Sequence, residues 1–552
     1  ESIYGTLRNH DSSSPLPERL LEHLRIAYEL PNADWNHIPT TGPVIIVANH
    51  PFGLLDGAIL AHVARRVRSD VRILANGILR QIPELKDLII PLHTASQAKG
   101  EHFLQLRQAL RHLIGGGLLI VFPAGEVSHY QWPSGEITDP AWTNCAVRLA
   151  RLAAGQQNAP VIVPVFLSGR NSILFQAAGL IHPMLRTALL PRELLNKEAK
   201  SIRVRVGSPI ALSRLSRQGD DDEQTAYIRW RTYLLPRRDR CKPMVGSPLR
   251  SRRNGTAQVP VIAPTPANAM TTEIAALTPA ALLANSGDLD VYIATANHIP
   301  SVLREISRLR EITFRSAGEG TGKSADLDHF DAHYLHLFLW NRQRQEIAGA
   351  YRLYPTDGVG SLYTANLFGY RQSFRDRLGP AIELGRSFVR SEYQRTFTPL
   401  LLLWKGIGRY VAANPRYKVL FGPVSISNQY HAISRELIVS YLQAHASLSG
   451  WKDLLSPRYP PGQCTSGGAR CRDVDELSEV ISDIENTSNG IPVLLRQYLR
   501  LGGKLLAFNV DPEFSNALDG LIVVDLTCTE PKLLDRYLGT AEARTFLSHH
   551  GA

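Results

Sequence analysis

The chain has 552 residues, 44% of them hydrophobic and 20% charged, and a formal net charge of +11. These fractions are typical of folded proteins and exclude a disordered chain, a collagen and a disulfide scaffold. The positive charge favours a polyanionic partner, such as an anionic membrane surface or an acidic protein; without a helix-turn-helix, zinc-finger or RNA-stacking signature, we expect no nucleic-acid partner. At roughly 100 to 200 residues per domain, the length predicts two to four domains.

Short apolar strands alternate with helical segments in the first 240 residues. Strands are predicted at 44–47, 118–121 and 161–165, and helices at 101–114 and 142–154. This alternation is typical of an α/β domain, in which functional groups lie on loops at the ends of strands.

The first strand runs directly into a Pro/Gly turn that carries His50, and Asp56 follows about one helical turn later. A nearby carboxylate orients an imidazole and raises its basicity, so His50 is placed to remove a proton from a hydroxyl or an amine. A structural histidine is the alternative interpretation of this pair alone.

Two later motifs follow in the same order as in a known family: Phe-Pro-Ala-Gly-Glu-Val-Ser at 122–128 and a Val-Pro strand at 161–165. Together with the His and Asp they resemble the glycerolipid acyltransferases, over roughly residues 20–235. The resemblance implies acyl transfer from a thioester to a hydroxyl. It makes His50 the general base, Asp56 its orienting carboxylate, and backbone donors near Gly125 helpers in acceptor or oxyanion binding.

The motifs depart from the family pattern in three places. Five residues separate His50 from Asp56 instead of four, which Gly53 can absorb as a wider turn. Ala124 and Val127 stand where the family has Glu and Arg, residues that serve a phosphorylated acceptor. The departures predict an acceptor without a phosphate. Glu126 then faces a cationic head group, or else caps a turn or pairs with a local Arg.

Residues 172–190 are apolar and are punctuated by arginines at 170, 186 and 192. Apolar side chains beside Arg suit a surface that dips into anionic lipid, and core packing explains the pattern equally well. An Arg-rich and then Pro/Ala-rich segment follows at 241–272, which we interpret as a linker. The predicted domains are therefore 1–240 and 273–552.

The second half is predicted to form another mixed α/β domain, with helices at 297–310 and 428–445 and strands near 335–340, 347–354, 382–389 and 419–421. The segment 316–324 resembles a phosphate-binding loop, but Gly318 is one residue too close to the Gly-Lys-Ser. We interpret it as a plain loop.

Charged residues recur beside the apolar segments of this half, where unpaired charges are costly. A buried ion network is one interpretation and a polar acceptor site the other. Their spacing resembles the acyl-homoserine-lactone synthases, which have an acetyltransferase (GNAT)-like fold and acylate an amine from acyl carrier protein. Carried over by position, the functional set is Arg310, Phe314, Asp328, Asp331, Arg352, Glu383 and Arg386. Glu383 is assigned to the acceptor ammonium or its deprotonation, and Arg386 and Arg352 to a carboxylate or to holding that Glu.

Membrane spans and metal sites are not predicted. The most apolar segments are shorter than the ~20 residues that a spanning helix needs, and no secretory signal opens the chain. The cysteines lack zinc-site spacing, so we expect reduced thiols and no metal or resident cofactor. They are Cys145, Cys241, Cys464, Cys471 and Cys528.

Four stretches extend the second resemblance to ornithine N-acyltransferases over roughly 290–530: 384–389, 402–407, 421–427 and 492–503. The fusion then resembles bifunctional ornithine lipid synthases. That implies N-acylation of ornithine from 3-hydroxyacyl-acyl carrier protein, whose phosphopantetheine thioester is the donor, and then O-acylation of lyso-ornithine lipid, on the cytoplasmic face of a bacterial inner membrane. Alternatives are a lipid of glycine or another amino acid, and a one-step lysophospholipid acyltransferase whose second half only binds.

Overall fold

The computed structural model describes residues 14–92, 99–132, 134–155, 158–238, 259–462, 470–487 and 490–551. The chain divides into two compact units, Glu1–Arg240 and Cys241–Ala552. Within the described residues, every helix is too short or too polar to cross a bilayer. Two of the cysteines, Cys241 and Cys464, and residues 241–258 of the predicted linker lie outside the described residues.

The first unit is an α/β domain. Its strands are β1 (Ala27–Glu29), β2 (Val44–Ala48), β3 (Val71–Asn76), β4 (Ile89–Leu92), β5 (Leu118–Val121), β6 (His129–Gln131), β7 (Glu136–Thr138), β8 (Val161–Leu167), β9 (Ser201–Val206) and β10 (Ile210–Ala211). Its helices are α1 (Leu16–His23), α2 (Asn32–Trp35), α3 (Leu54–Arg65), α4 (Lys99–Ile114), α5 (Cys145–Ala153), α6 (Ile173–Ile181), α7 (Pro183–Leu195), α8 (Leu212–Leu215) and α9 (Asp221–Leu234).

Its main sheet runs in the order β1, β9, β8, β2, β5, β3, β4, with β10 paired to β8. The central strands β8, β2, β5 and β3 are mutually parallel. Such strands are covered on both faces and read as unbroken apolar runs, as β2 does. Leu55 and Ile59 of α3 pack on one face, and Val147 of α5 with Ile228 of α9 packs on the other. The carboxyl ends of β2 and β5 therefore meet at one edge, where the His50 turn and residues 122–128 begin.

The second unit also mixes helices and strands, which confirms the predicted α/β fold class for both halves. Its strands are β11 (Leu282–Ser286), β12 (Leu289–Thr295), β13 (Leu335–Asn341), β14 (Glu346–Pro355), β15 (Phe368–Tyr370), β16 (Ala381–Val389), β17 (Val419–Ile426), β18 (Leu455–Pro457), β19 (Lys504–Asp511) and β20 (Ala517–Asp525). Its helices are α10 (Ala267–Ala275), α11 (Pro300–Ser316), α12 (Gln372–Leu378), α13 (Thr398–Ala413), α14 (Ala432–Tyr441), α15 (Val474–Glu485), α16 (Val493–Arg500), α17 (Pro531–Leu538) and α18 (Thr540–His549).

The large sheet of this unit runs in the order β11, β12, β13, β14, β16, β17, β20, β19. Neighbours are antiparallel except β16 and β17, which pair in parallel only over 381–383 and 419–421. Beyond that point the two strands separate. Gly422 stands at the separation, where a Cβ would lie 2.1 Å from the carbonyl oxygen of Leu384. The sheet therefore opens into a cleft between two strand edges.

The predicted linker is too long at its C-terminal end. Ile262 donates a backbone hydrogen bond to Ser324, and α10 buries Met270 and Ile274 against the core of the second unit. A Pro/Ala-rich composition hides this, because Pro and Ala also suit an extended segment followed by a short helix. Residues 259–272 thus belong to the second unit.

Candidate active site

The first unit places His50 and Asp56 in direct contact. His50 Nδ1 lies 2.9 Å from Asp56 Oδ2. That carboxylate is completely buried in the first turn of α3 and accepts the backbone N–H groups of Phe52 (2.8 Å) and Gly53 (2.9 Å). Burial raises the pKa of Asp56, while the His50 contact opposes the rise. Since Nδ1 faces the carboxylate, Nε2 is the nitrogen left to take a proton from a substrate. Gly53, at φ +90°, absorbs the extra residue of the motif.

Asp139 connects the two motifs of this site. It is buried, and its Oδ1 accepts the backbone N–H of His50 at 3.1 Å and the hydroxyl of Ser128. Its other oxygen accepts Trp142 Nε1 at 2.9 Å. Phe122 stacks on the His50 ring with centroids 4.2 Å apart. Sequence reasoning missed Asp139, because it lies 89 residues from His50 in a segment without a motif.

The block at 122–128 forms a tight turn. Gly125 has φ +68°, and its N–H donates to Phe122 O at 3.0 Å, so this amide is used inside the turn and does not point at a substrate. Glu126 is exposed and lies 3.3 Å from Arg186. Of the interpretations offered for Glu126, the structure therefore shows the pairing with a local Arg.

In the second unit, a cavity of about 820 Å³ fills the cleft between β16 and β17. Its walls include the separated ends of both strands, residues 384–389 and 423–425, as well as Ser427 and the start of α16. Its polar lining includes Glu319, Tyr363, Arg386, Asp511 and Asp519. Of the seven residues predicted in this half, Phe314 and Arg386 line the cavity.

Four predicted residues form a buried ion network behind the cavity wall. Arg310 lies 2.7 Å from Asp331, and Arg352 lies 2.7 Å from Asp328 and 3.4 Å from Asp331. Burial alone would raise the pKa of Asp331, but the two guanidiniums outweigh it and hold that pKa well below its ordinary value. The network keeps the charges paired and extends toward Arg386, which lies 3.8 Å from Asp328.

Arg386 reaches the cavity through a β-bulge. Two residues of β16, Arg386 and Ser387, oppose one residue of β14, and Arg386 has φ +48°. Its guanidinium lies over the rings of Tyr363 (4.8 Å) and Phe514 (4.9 Å) and 3.1 Å from Asp326. Phe314 packs edge-on against Phe514. A bulge re-aims a side chain, which explains how a strand residue points into this cleft.

Glu383 occupies a different position from the one its predicted role requires. It is buried outside the cavity lining, and its carboxylate accepts the backbone N–H groups of Tyr363 (3.1 Å) and Thr364 (2.7 Å) and the hydroxyl of Tyr334. These bonds fix the turn that presents Tyr363 to the cavity. We interpret Glu383 as a positioning residue.

Replacing Glu383 with alanine is expected to destabilise the second unit by several kcal/mol. Thr364 N–H and the Tyr334 hydroxyl lose their acceptor, whereas Tyr363 N–H still donates to Tyr334 at 2.8 Å. Each unsatisfied donor costs about 1–3 kcal/mol. Urea denaturation of the full chain measures the loss, with Glu392→Ala as the control because Glu392 is 53% exposed and pairs only at the surface. An alanine variant as stable as this control, yet inactive, would return Glu383 to a catalytic role.

The cavity contains carboxylates that sequence reasoning missed. Glu319 is 6% exposed, accepts the hydroxyl of Ser425 at 2.8 Å, and has its pKa raised by burial to about 7. Burial, then Asp511 and Glu319, raise the pKa of Asp519 well above its ordinary value. Glu319 lies in the loop dismissed as an imperfect phosphate-binding loop, and Asp519 lies in an apolar strand. Among the described residues, no three His, Cys, Asp or Glu side chains are arranged to hold a metal ion.

Comparisons with known proteins match both units. Residues 28–239 match the family described as Acyltransferase, and residues 309–405 match the family described as Acetyltransferase (GNAT) domain. The chain is 34% identical over 270 residues to the glycine N(alpha)-acyltransferase of Bacteroides thetaiotaomicron, covering 44% of this chain and 80% of that protein. It is 37% identical over 194 residues to the glycine N(alpha)-acyltransferase of Phocaeicola vulgatus, covering 32% and 59%. It is 24% identical over 247 residues to the L-ornithine N(alpha)-acyltransferase of Agrobacterium fabrum, covering 42% and 78%.

Proposed function

We propose that this chain, which belongs to the family of the bacterial glycine N(alpha)-acyltransferases, makes an amino-acid lipid with two acyl chains. The predicted enzyme class is confirmed: both units are acyltransferase domains, and the substrates are amino acids and lipids. In the proposed order, the second unit N-acylates ornithine with a 3-hydroxyacyl group. The first unit then acylates the hydroxyl of that product. Carrying both domains on one chain raises the local concentration of the second site for the intermediate.

The cleft between β16 and β17 is the proposed thioester site. Strand edges that separate leave backbone N–H and C=O groups free to pair with an added extended segment. A phosphopantetheine arm is extended and carries amide groups, so it fits such an edge. Acyl carrier protein is acidic and this chain has a net charge of +11, which favours acyl carrier protein as the donor.

Glu319 is the proposed base for N-acylation. A carboxylate whose pKa is raised to about 7 can accept a proton from an acceptor ammonium near neutral pH. The neutral amine then attacks the thioester carbonyl, the C–N bond forms and the C–S bond breaks. The nitrogen gives up one proton to become an amide, and the leaving sulfur takes up a proton and departs as the pantetheine thiol. Ser425, which holds Glu319, lies on β17 beyond the point where the strands separate, so the base faces the place where the thioester would lie.

The cluster of carboxylates in the cavity is the observation that best supports ornithine as the acceptor. Glu319, Asp511 and Asp519 line one cavity. Burial raises the pKa of Asp519 most, and repulsion from Asp511 and Glu319 raises it further. A cation bound among them relieves that repulsion and favours their charged forms. Glycine brings only its α-ammonium, whereas ornithine brings a second ammonium that needs a second carboxylate.

Glycine is the second candidate acceptor, because identity to the glycine enzyme (34%) exceeds identity to the ornithine enzyme (24%). Its smaller side chain brings no second ammonium to Asp511 and Asp519.

The first unit is proposed to acylate the hydroxyl of the N-acyl intermediate. His50 Nε2 takes the hydroxyl proton, the oxygen attacks a second thioester, and the leaving sulfur recovers the proton from the imidazolium. Asp56 keeps Nδ1 protonated and oriented throughout.

Acceptor competition tests the proposal. Purified full-length protein with 3-hydroxyacyl-acyl carrier protein is supplied with equal ornithine and glycine, and the N-acyl products are measured by mass spectrometry. We expect ornithine to be preferred by about tenfold or more, since one buried charge pair is worth at least that much. Asp519→Asn should erase most of the preference, and the control Asp525→Asn, at the outer end of β20, should keep it. A preference for glycine would establish the second candidate. An absence of both products would leave lysophospholipid acylation by the first unit.

A further inference from the structure

Helices α6 and α7 of the first unit form a hairpin with an apolar outer surface. On α6 the exposed positions follow a single helical face and include Ile173, Leu174, Leu180 and Ile181, between 48% and 86% exposed. On α7 the same spacing exposes Met184, Leu185 and Leu195, between 43% and 73%. Soluble domains rarely expose two adjacent apolar helix faces, so this surface calls for a partner.

The hairpin is held closed from within. Glu193 on α7 is buried and accepts the backbone N–H of Ser172, which begins α6, at 2.9 Å. Lys197 lies 3.1 Å from the same carboxylate. Burial opposes ionisation, but the Ser172 hydrogen bonds and Lys197 hold the pKa of Glu193 below its ordinary value. The exposed apolar faces are therefore not an opened core but the outside of a closed pair of helices.

The charges around the hairpin indicate which kind of partner this surface contacts. From 170 to 195 the sole acidic residue is the buried Glu193, while Arg170 and Arg192 are exposed. Trp132, 83% exposed, follows β6, which Tyr130 ties to α6 through Gln176 at 2.9 Å. Apolar faces, exposed arginines without an exposed acid between residues 170 and 195, and a Trp at the edge are the pattern of a surface that inserts into an anionic lipid interface.

The inner face of the hairpin reaches the His50 turn. A Cβ on Gly53 would lie 3.4 Å from Leu190, the Lys197 ammonium lies 5.3 Å from the Phe52 ring centroid, and Arg186 lies 3.3 Å from Glu126. The same two helices thus carry the exposed apolar faces on one side and contact the catalytic motifs on the other.

We propose that the α6–α7 hairpin and Trp132 insert into the interfacial region of an anionic membrane, so that the His50 site opens directly to lipid. The proposal rests on the proposed function, because a membrane-resident acceptor is what gives this placement its use. The N-acylated intermediate then enters the first unit directly from the bilayer, without passing through water. Within this unit, only the inserted surface moves from water into the membrane.

Vesicle binding of the full chain tests the inference. The vesicles contain equal parts of phosphatidylcholine and phosphatidylglycerol, with pure phosphatidylcholine as the neutral comparison. The double variant Ile181→Glu/Met184→Glu should lose about tenfold or more of the affinity of the wild type, because two large apolar side chains lose their burial. The control Leu152→Glu lies on α5 of the same unit, also exposed at 66%, and should bind as the wild type does.

Brominated lipid gives a readout independent of activity. Bromine on the acyl chains should quench part of the tryptophan emission, and Trp132→Phe should remove most of the quenched part. Unchanged binding of the double variant, or no loss of quenching in Trp132→Phe, would overturn the inference. So would a wild type whose mass in solution is that of a dimer and falls to a monomer in the double variant, since a second copy would then cover the hairpin. Binding and quenching as expected, with no O-acylation of detergent-dispersed substrate, would keep the inference and reject the proposed function.

Discussion

His50→Ala is expected to lower O-acylation by about 10²- to 10⁴-fold, the range that a general base contributes, and to leave N-acylation unchanged. The imidazole is the group whose Nε2 is free to take a proton, because its Nδ1 lies 2.9 Å from Asp56. Cells that express the variant should accumulate the monoacyl amino acid, while wild type yields the diacyl product. Lipid mass spectrometry of a heterologous bacterium that lacks such lipids measures both.

Two further variants separate chemistry from folding. Asp56→Asn keeps the shape of the turn but weakens the hold on the imidazole, so we expect a smaller loss of O-acylation than in His50→Ala. His23→Ala, an exposed histidine at the end of α1, should behave as wild type. If His50→Ala also abolished the monoacyl product, the proposed division of labour between the two units would be wrong.

The first site was readable from sequence where its parts are contiguous. Three apolar runs predict the buried parallel strands β2, β5 and β8, and the His50 turn follows one of them without a gap. Parallel strands bring their carboxyl ends to one edge, so local pattern and topology agree there. Asp139 was not readable, because its contact with His50 depends on where a distant loop folds back and not on any spacing.

The second site was only half readable. The spacing shared with the acyl-homoserine-lactone synthases selected Arg310, Asp331 and Arg352. These residues do lie together, because charges that are buried must pair. It misplaced Glu383, because a sequence does not show which carboxylate is already saturated by backbone donors. The φ of +48° at Arg386 was hidden as well, since Arg seldom adopts that conformation and nothing local marks the bulge. Glu319 escaped because its loop resembles a phosphate-binding loop without being one.

Glu319→Gln is expected to lower N-acylation by about 10²- to 10⁴-fold and to remove its pH dependence near neutrality. The carboxylate acts as a base only when ionised, and burial raises its pKa to about 7. The wild-type rate should therefore rise as pH increases through about 7. Ser425→Ala removes the hydrogen bond that opposes this rise in pKa, so its rate profile should move to higher pH with Glu319 still present.

Stability should change with pH in the opposite direction, which makes the same residue testable without substrate. The pKa of Glu319 is higher in the folded chain, about 7, than its ordinary value of 4.5, so the folded state holds its proton more tightly. Its stabilising contribution is complete below pH 4.5 and is lost as pH rises through about 7. Urea denaturation at several pH values should show this loss in wild type and a smaller one in Glu319→Gln. Identical pH profiles in the two proteins would mean that Glu319 does not titrate near neutrality. The rise in N-acylation would then belong to another group, with Asp519, the other buried carboxylate of the cavity whose pKa is raised, next to be changed to Asn.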